Sequence, residues 1–402
     1  MTPSHQGAAI GGVWQTGPVK ALLFERREAR YAAAAVTSRI LPGTGASVGP
    51  LRLTDIDPPE LPGDDWVRVV PTLTGICGSD LSTIDGHSSG YFDGKVSFPF
   101  VPGHEVVGTA DGTRVALEPV LGPEARGEGL AFAGAAPGDG DDYGYLLGGS
   151  IDDGIQVGFC ASTGGGWGEE FVAHRGQLHS VPDDVSDEDA VMLEPAAGGV
   201  HAAAKAQIDG GVVLVQGAGT MGLVTIAALR AYTNADTIIA VAKYPVQKTF
   251  AAELGADVVV GPSETKRAVR RVTGCRMLGD DLSGGADVTI DAIGNAASIE
   301  TAIGATRPRG KVVLVGMPGR LNIDLTALWH RETALIGAYT YGTDAWPDGT
   351  SISSFTRAME LTKSAQLGRL VSAKYPLTSY KEAIRHAAEA GQRGSIKVTF
   401  AQ

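Results

Sequence analysis

The stretch Val212 to Tyr232, VVLVQGAGTMGLVTIAALRAY, constrains the fold more than any other part of the chain. Val212 to Val215 is a short apolar, largely β-branched run, as expected of a strand buried on both faces. Gly217, Gly219 and Gly222 then form G-x-G-x-x-G, and Leu223 to Tyr232 continues at helical spacing without Gly or Pro. Strand, glycine turn and helix, in that order, are the context this fingerprint needs. Gly217 permits the tight turn, Gly219 lets a pyrophosphate approach the backbone, and Gly222 lets helix and strand pack closely. The phosphates would rest on free N–H groups at the helix N-terminus, with Thr220 and Met221 in the same turn. A merely structural turn is the alternative, and the glycines alone do not decide between the two.

A length of 402 residues is enough for two ordinary domains, and 43% hydrophobic with 19% charged residues is a globular balance. The net charge of −12 argues against a nucleic-acid or anionic-membrane surface. Cys77, Cys160 and Cys275 are far apart and support no disulfide framework, which suits a cytoplasmic protein. Met1 to Gly17 lacks the basic start and apolar core of a signal peptide and reads as a flexible tail. No apolar run is long enough for a membrane span.

Along the chain, Val19 to Phe24, Leu51 to Ile56, Trp66 to Leu73, Thr113 to Pro119, Trp167 to His174 and Gln177 to Val181 read as strands of a β-rich first domain. Glu25 to Ile40 has helical character and Leu41 to Pro50 reads as loop. Leu121 to Gly166 is Gly-, Ala- and Asp-rich and reads as an irregular lobe. Ser186 to Lys205 reads as bridging helices. From Gly211 onward short apolar strands alternate with helices, the pattern of a doubly wound parallel sheet. Ile396 to Phe400 is a closing strand, and the chain after about Trp346 is expected to rejoin the first domain.

Cys77-Gly-Ser79-Asp80 gathers a thiol, a hydroxyl and a carboxylate, and His104-Glu105 adds an imidazole and a carboxylate. Glu194, in Leu-Glu-Pro, adds another. Such donors suit a catalytic Zn²⁺ with one position left for water or substrate. Taken singly, each has a plainer reading: a small buried thiol, a core histidine, a charge near a helix N-terminus.

G-x-C-G-S-D, G-H-E and the later G-x-G-x-x-G stand in one order, and with them the chain resembles the zinc-dependent medium-chain alcohol dehydrogenase family from about Val19 to Phe400. The resemblance implies an α/β protein with a β-rich GroES-like catalytic domain and a doubly wound, parallel-sheet Rossmann domain. Residues 1–18 would be a tail, 19–205 the catalytic domain, 206–345 the dinucleotide-binding domain and 346–402 the return. Cys77 and His104 match zinc ligands, Glu105 the carboxylate that ligates or exchanges with water, and Glu194 a further ligand. Ser79 matches the hydroxyl that takes the substrate proton, and Asp80 the carboxylate that orients the ligating imidazole. A Glu in place of a second Cys at the metal is a feature of polyol- and sugar-oxidising relatives. The expected reaction joins NADP(H) to an alcohol, polyol, aldehyde or ketone, in a homodimer or homotetramer.

Three departures stand out. The stretch 121–128, LGPEARGE, lacks the cysteines of the family's structural zinc, so one zinc per subunit is expected, with Cys160 simply packing in the lobe. Ser82 stands where many relatives carry a proton-relay His; His87 could substitute or be a surface histidine. The stretch 25–49 is longer than the usual link and could cover a substrate cleft or serve assembly.

Past the glycines, Ala242 sits where NAD sites place an acid, and Lys243, Tyr244 and Lys248 follow. A missing carboxylate and added lysines favour NADP over NAD; solvated surface lysines are the alternative. Ala292 and Gly316 end sheet strands and line the cofactor path, and Lys397 matches a basic position that reaches the pyrophosphate in relatives. His87, Tyr91, Phe92, Trp167 and Trp329 are candidate pocket residues or packing. The competing functions are a zinc-free NADPH-dependent alkene or quinone reductase, which has no need of the metal donors, and a non-enzymatic dinucleotide-binding protein.

Overall fold

The computed structural model describes residues 17–88, 94–346 and 349–402; the tail before Gly17, with Tyr91 and Phe92, lies outside them. The chain opens with β1 (Val19–Phe24), then α1 (Glu28–Thr37), the single turn α2 (Gly45–Val48) and β2 (Leu51–Ile56), which pairs antiparallel with β1. β3 (Trp66–Gly75), α3 (Gly78–Ile84), β4 (Val106–Ala110) and β5 (Thr113–Leu117) follow. The lobe over 121–166 holds two 3-10 turns, at Glu124–Arg126 and Gly144–Leu147. The chain then runs through β6 (Phe171–His174), β7 (Leu178–Ser180), α4 (Asp187–Val191) and α5 (Leu193–Ala206). Trp167 precedes β6 rather than lying within it, because its backbone N–H donates to Pro102 O outside any strand ladder.

From β8 (Val212–Gln216) the alternation is regular: α6 (Thr220–Tyr232), β9 (Thr237–Val241), α7 (Pro245–Glu253), β10 (Val258–Val260) and α8 (Thr265–Thr273). A two-residue hairpin, β11 (Met277–Leu278) and β12 (Asp281–Leu282), leads to β13 (Ala286–Asp291), α9 (Ala296–Ala305), β14 (Thr306–Leu314), α10 (Thr326–His330) and β15 (Ala334–Gly337). Val213, Leu214 and Val215 are all fully buried, as a strand covered on both faces requires. The sheet order is β10-β9-β8-β13-β14-β15, and every pairing is parallel. Strand order therefore reverses direction between β8 and β13, and a crevice opens above their carboxyl ends.

A second hairpin, β16 (Thr343–Ala345) with β17 (Ser351–Ser353), precedes α11 (Ser354–Ser364), β18 (Val371–Tyr375), α12 (Tyr380–Ala388) and β19 (Lys397–Ala401). β18 and β19 extend the sheet begun upstream, in the order β18-β19-β3-β4-β5-β7, with β6 also paired to β3; every pairing is antiparallel except β18 with β19, which is parallel.

The stretch 25–50 is docked firmly. Asp85, at the end of α3, accepts from the backbone N–H of Gly43 at 2.8 Å and of Gly45 at 3.0 Å, and Ser38 Oγ donates to Asp85 O at 2.9 Å. These bonds explain why 45–48 turns helical where composition reads as loop: a four-residue helix has free N–H groups, and a buried carboxylate receives them. Gly45 is pressed so closely on α3 that a Cβ would lie 2.1 Å from Ile84 O. Asp85→Ala leaves two buried donors unmet, and a loss of about 2–4 kcal/mol is expected in denaturant unfolding.

Candidate active site

Three donors meet where β3, α3 and β4 approach one another. Cys77 is the N-cap of α3, and its backbone N–H donates to Asp80 Oδ2 at 2.9 Å. His104 and Glu105 immediately precede β4. Gly103 makes that approach possible: its φ is +98°, and a Cβ would lie 2.4 Å from the Trp167 ring. Ligand atoms of Cys77, His104 and Glu105 lie within 4.8 Å of one another. His104 and Glu105 are buried, whereas Cys77 is half-buried, so the group opens toward solvent on the thiol side.

Asp80 stands behind the imidazole. Its Oδ1 lies 3.5 Å from His104 Nδ1, and neither atom has a hydrogen-bond partner although both are buried. Nδ1 is thus turned to the carboxylate, and Nε2 is the nitrogen left to bind a cation. Burial alone would lower the imidazole pKa, but Asp80, Cys77 and Glu194 hold it well above its ordinary value. Burial raises the Asp80 carboxyl. Cys, His and carboxylate so arranged fit a divalent cation of the zinc type, and the cation would displace the proton.

Glu194, in the first turn of α5, lies outside that three-residue group, although its charge acts on His104. Burial pushes its carboxyl up to about 7. The Tyr341 phenol is buried beside it, and burial with the Glu194 and Glu118 carboxylates drives its pKa far up.

Lys397 stands beside the metal donors. It is 2% exposed, ion-pairs with Glu105 and donates to Ile76 O at 3.2 Å. Burial works against its charge, but Glu105, Cys77 and Glu194 raise its pKa above the ordinary lysine value. β19 lies beside β3 and turns this side chain toward Glu105. Gly75 makes the room, since a Cβ there would fall 1.8 Å from Glu105 Oε2.

The glycine turn has the form its spacing predicts. Gly217 has φ +87°. A Cβ on Gly222 would meet Gly217 O at 1.8 Å, whereas one on Gly219 would meet nothing within 4 Å, so the backbone is open there. Across the crevice the Asp291 carboxylate accepts from Ile293 N at 3.0 Å and from Ser298 Oγ at 2.8 Å, which fixes the turn carrying Ala292. Gly316 presses on that turn, with a Cβ position 2.4 Å from Ile293 C. Thr220 and Met221 begin α6. Lys243 and Lys248 are exposed at the end of β9 and in α7, with Lys243 Nζ 5.2 Å from the Tyr244 ring centroid. The Tyr244 ring also packs on Gly391.

The other candidates differ in setting. Trp167 is fully buried, donates to Gly75 O at 3.2 Å and sits edge-on to Phe400. His87 bonds Ser38 Oγ at 2.9 Å. Trp329 is 81% exposed. Residue patterns missed Gly75, Tyr341 and Phe159, whose ring lies 6.0 Å from the His104 imidazole. For Lys397 a signal existed: one cation inside an otherwise apolar closing strand.

Two family profiles match the chain: one described as alcohol dehydrogenase GroES-like domain over residues 63–183, and one as zinc-binding dehydrogenase over 220–354. Sorbitol dehydrogenase of Pongo abelii is 31% identical over 344 residues, covering 83% of this chain and 89% of its own. L-idonate 5-dehydrogenase of Vitis vinifera is 28% identical, covering 83% and 87%. The crystal structure of 2R,3R-butanediol dehydrogenase from Bacillus subtilis superposes with a TM-score of 0.68 at 23% identity, covering 96% of this chain and 99% of that one.

Gly75→Ala is expected to force Glu105 and Lys397 apart and to lower stability by about 1–3 kcal/mol in thermal unfolding.

Proposed function

The chain belongs to the zinc-dependent medium-chain alcohol dehydrogenase family, and from that premise we propose reversible hydride transfer between NADP(H) and an alcohol or polyol or the matching aldehyde or ketone. The convergence of Cys77, His104 and Glu105 within 4.8 Å carries this reading. A zinc ion held there would supply a Lewis acid for the substrate oxygen, and a bound nicotinamide would supply the hydride chemistry. Cys77 and His104 would hold the ion. Glu105 ligates or exchanges with water, and Glu194 stands close enough to share charge with the site. Asp80 fixes the imidazole tautomer. Ser79, half-exposed in the first turn of α3, takes the substrate proton on Oγ and releases it outward.

Residues 19–205 with 346–402 form the catalytic domain and 206–345 the dinucleotide-binding domain, a division supported by the separate mixed and parallel sheets. One zinc per subunit is supported by Arg126 in the cysteine-free stretch 121–128 of the lobe. Its guanidinium is buried and donates to Gly154 O at 2.7 Å and Gly148 O at 3.1 Å, bonds that tie the lobe together. NADP is supported by Ala242 at the end of β9 with Lys243 and Lys248 exposed beside it. A homodimer or homotetramer is supported by exposed Leu325 and Trp329 beside the edge strand β15. A cytoplasmic location rests on three free thiols; no helix among the described residues is long and apolar enough to cross a membrane.

Cys77→Ser is expected to lose zinc by elemental analysis and to lower kcat/KM about a hundredfold or more; full metal and full rate would contradict the assignment. Lys243→Ala is expected to lower kcat/KM with NADP about tenfold while NAD is little affected. A wild-type preference for NAD would overturn the cofactor reading.

A further inference from the structure

The longer link between the opening strands builds one wall of a cavity of about 330 Å³, within the range of small-molecule pockets. Tyr31 and Ala32 of α1 face it from the link, Thr83 from α3, and Phe98, Phe100 and Phe159 from the core side. Aromatic rings run continuously from this cavity to the metal donors. Phe98 and Phe100 have centroids 5.3 Å apart, Phe100 and Phe159 5.3 Å, and Phe159 and the His104 imidazole 6.0 Å. Thr83 lies one turn along α3 from Ser79 and donates to Ser79 O at 2.9 Å.

Several polar groups of the lining are engaged with one another or with neighbours. The Thr83 hydroxyl also bonds Ser88 Oγ at 2.7 Å. Glu25 is held by Arg27 at 2.5 Å and by Arg52 at 2.6 Å. The Arg26 guanidinium lies 5.9 Å from the Phe98 ring centroid. A hydroxyl-rich chain entering here would give up water and find few free partners, which is costly, whereas apolar surface gains by leaving water. The wall is not a loose loop, since Asp85 fixes it to the helix that carries Ser79.

We infer that the 25–50 segment forms the outer wall of the substrate pocket and selects alcohols and carbonyl compounds that carry a bulky apolar group, aryl or branched alkyl, over linear polyols. This rests on the dehydrogenase reading above. Ala32, exposed on α1 at the cavity, accepts a larger side chain without disturbing the core.

The test uses the zinc-loaded full chain with NADP and compares kcat/KM for 4-isopropylbenzyl alcohol, 2,3-butanediol and sorbitol, in wild type and Ala32→Trp. Binding of benzamide and acetamide to the NADPH complex, read by calorimetry, gives a measure independent of turnover. The wild type is expected to favour the aryl alcohol over sorbitol about tenfold or more. Ala32→Trp is expected to cut the aryl-to-butanediol ratio about tenfold, mainly through KM, and to weaken benzamide far more than acetamide. Preference for sorbitol, or a ratio unmoved by Ala32→Trp while butanediol is still oxidised, overturns the pocket and leaves the dehydrogenase standing. Benzamide binding that Ala32→Trp abolishes, with no alcohol oxidised, supports the pocket and overturns the dehydrogenase instead.

Discussion

An excess of buried negative charge governs this protein. Asp80, Glu105 and Glu194 converge with the Cys77 thiol, and Lys397 is the buried ammonium that answers them. Carboxylates taken from water must either keep their protons or meet a cation. Burial raises the Asp80 and Glu194 carboxyls, whereas Glu105 is matched by Lys397. One lysine cannot offset the whole set, and a divalent ion held by thiolate, imidazole and carboxylate would complete the balance. The architecture follows from that need. The start of α3 delivers Cys77 and Asp80, the turn before β4 His104 and Glu105, α5 Glu194 and β19 Lys397, and glycines stand where these members crowd the backbone.

The dinucleotide half obeys a different constraint. Its crevice is defined by backbone rather than charge: two turns, after β8 and β13, face each other where strand order reverses. Gly217 turns the chain, Gly222 admits the helix, and Gly219 is left uncovered. Asp291 serves this half as a brace, spending its carboxylate on the turn that holds Ala292. The two halves thus divide the work, one gathering ionisable groups and the other presenting free N–H groups at the start of α6.

What could be read in the residues was local. The three glycines, the apolar strand before them and the Cys-Gly-Ser-Asp turn each carry their meaning within a few positions, and the fold follows such patterns closely. What escaped depends on partners far away in sequence. Lys397 has no neighbour that betrays Glu105, and only the pairing of β19 with β3 brings them together. Trp167 looked like a pocket aromatic because sequence does not show that Phe400 and Gly75 O enclose it. The short helix α2 was hidden for the same reason, since its N-terminal groups are met by Asp85 across the fold. The lobe over 121–166 shows the converse: the missing cysteine cluster was plain, but Arg126 as the tie was not.

The place of β19 bears on how the protein is made. This strand lies inside the mixed sheet, between β18 and β3, yet it is synthesised after every other element described. The carboxylate of Glu105 emerges from the ribosome long before the ammonium that matches it. The catalytic half therefore cannot complete its sheet until the entire parallel sheet has been translated, and that sheet can fold first as a unit. Only then does the last strand take its place between its neighbours and bring Lys397 to Glu105.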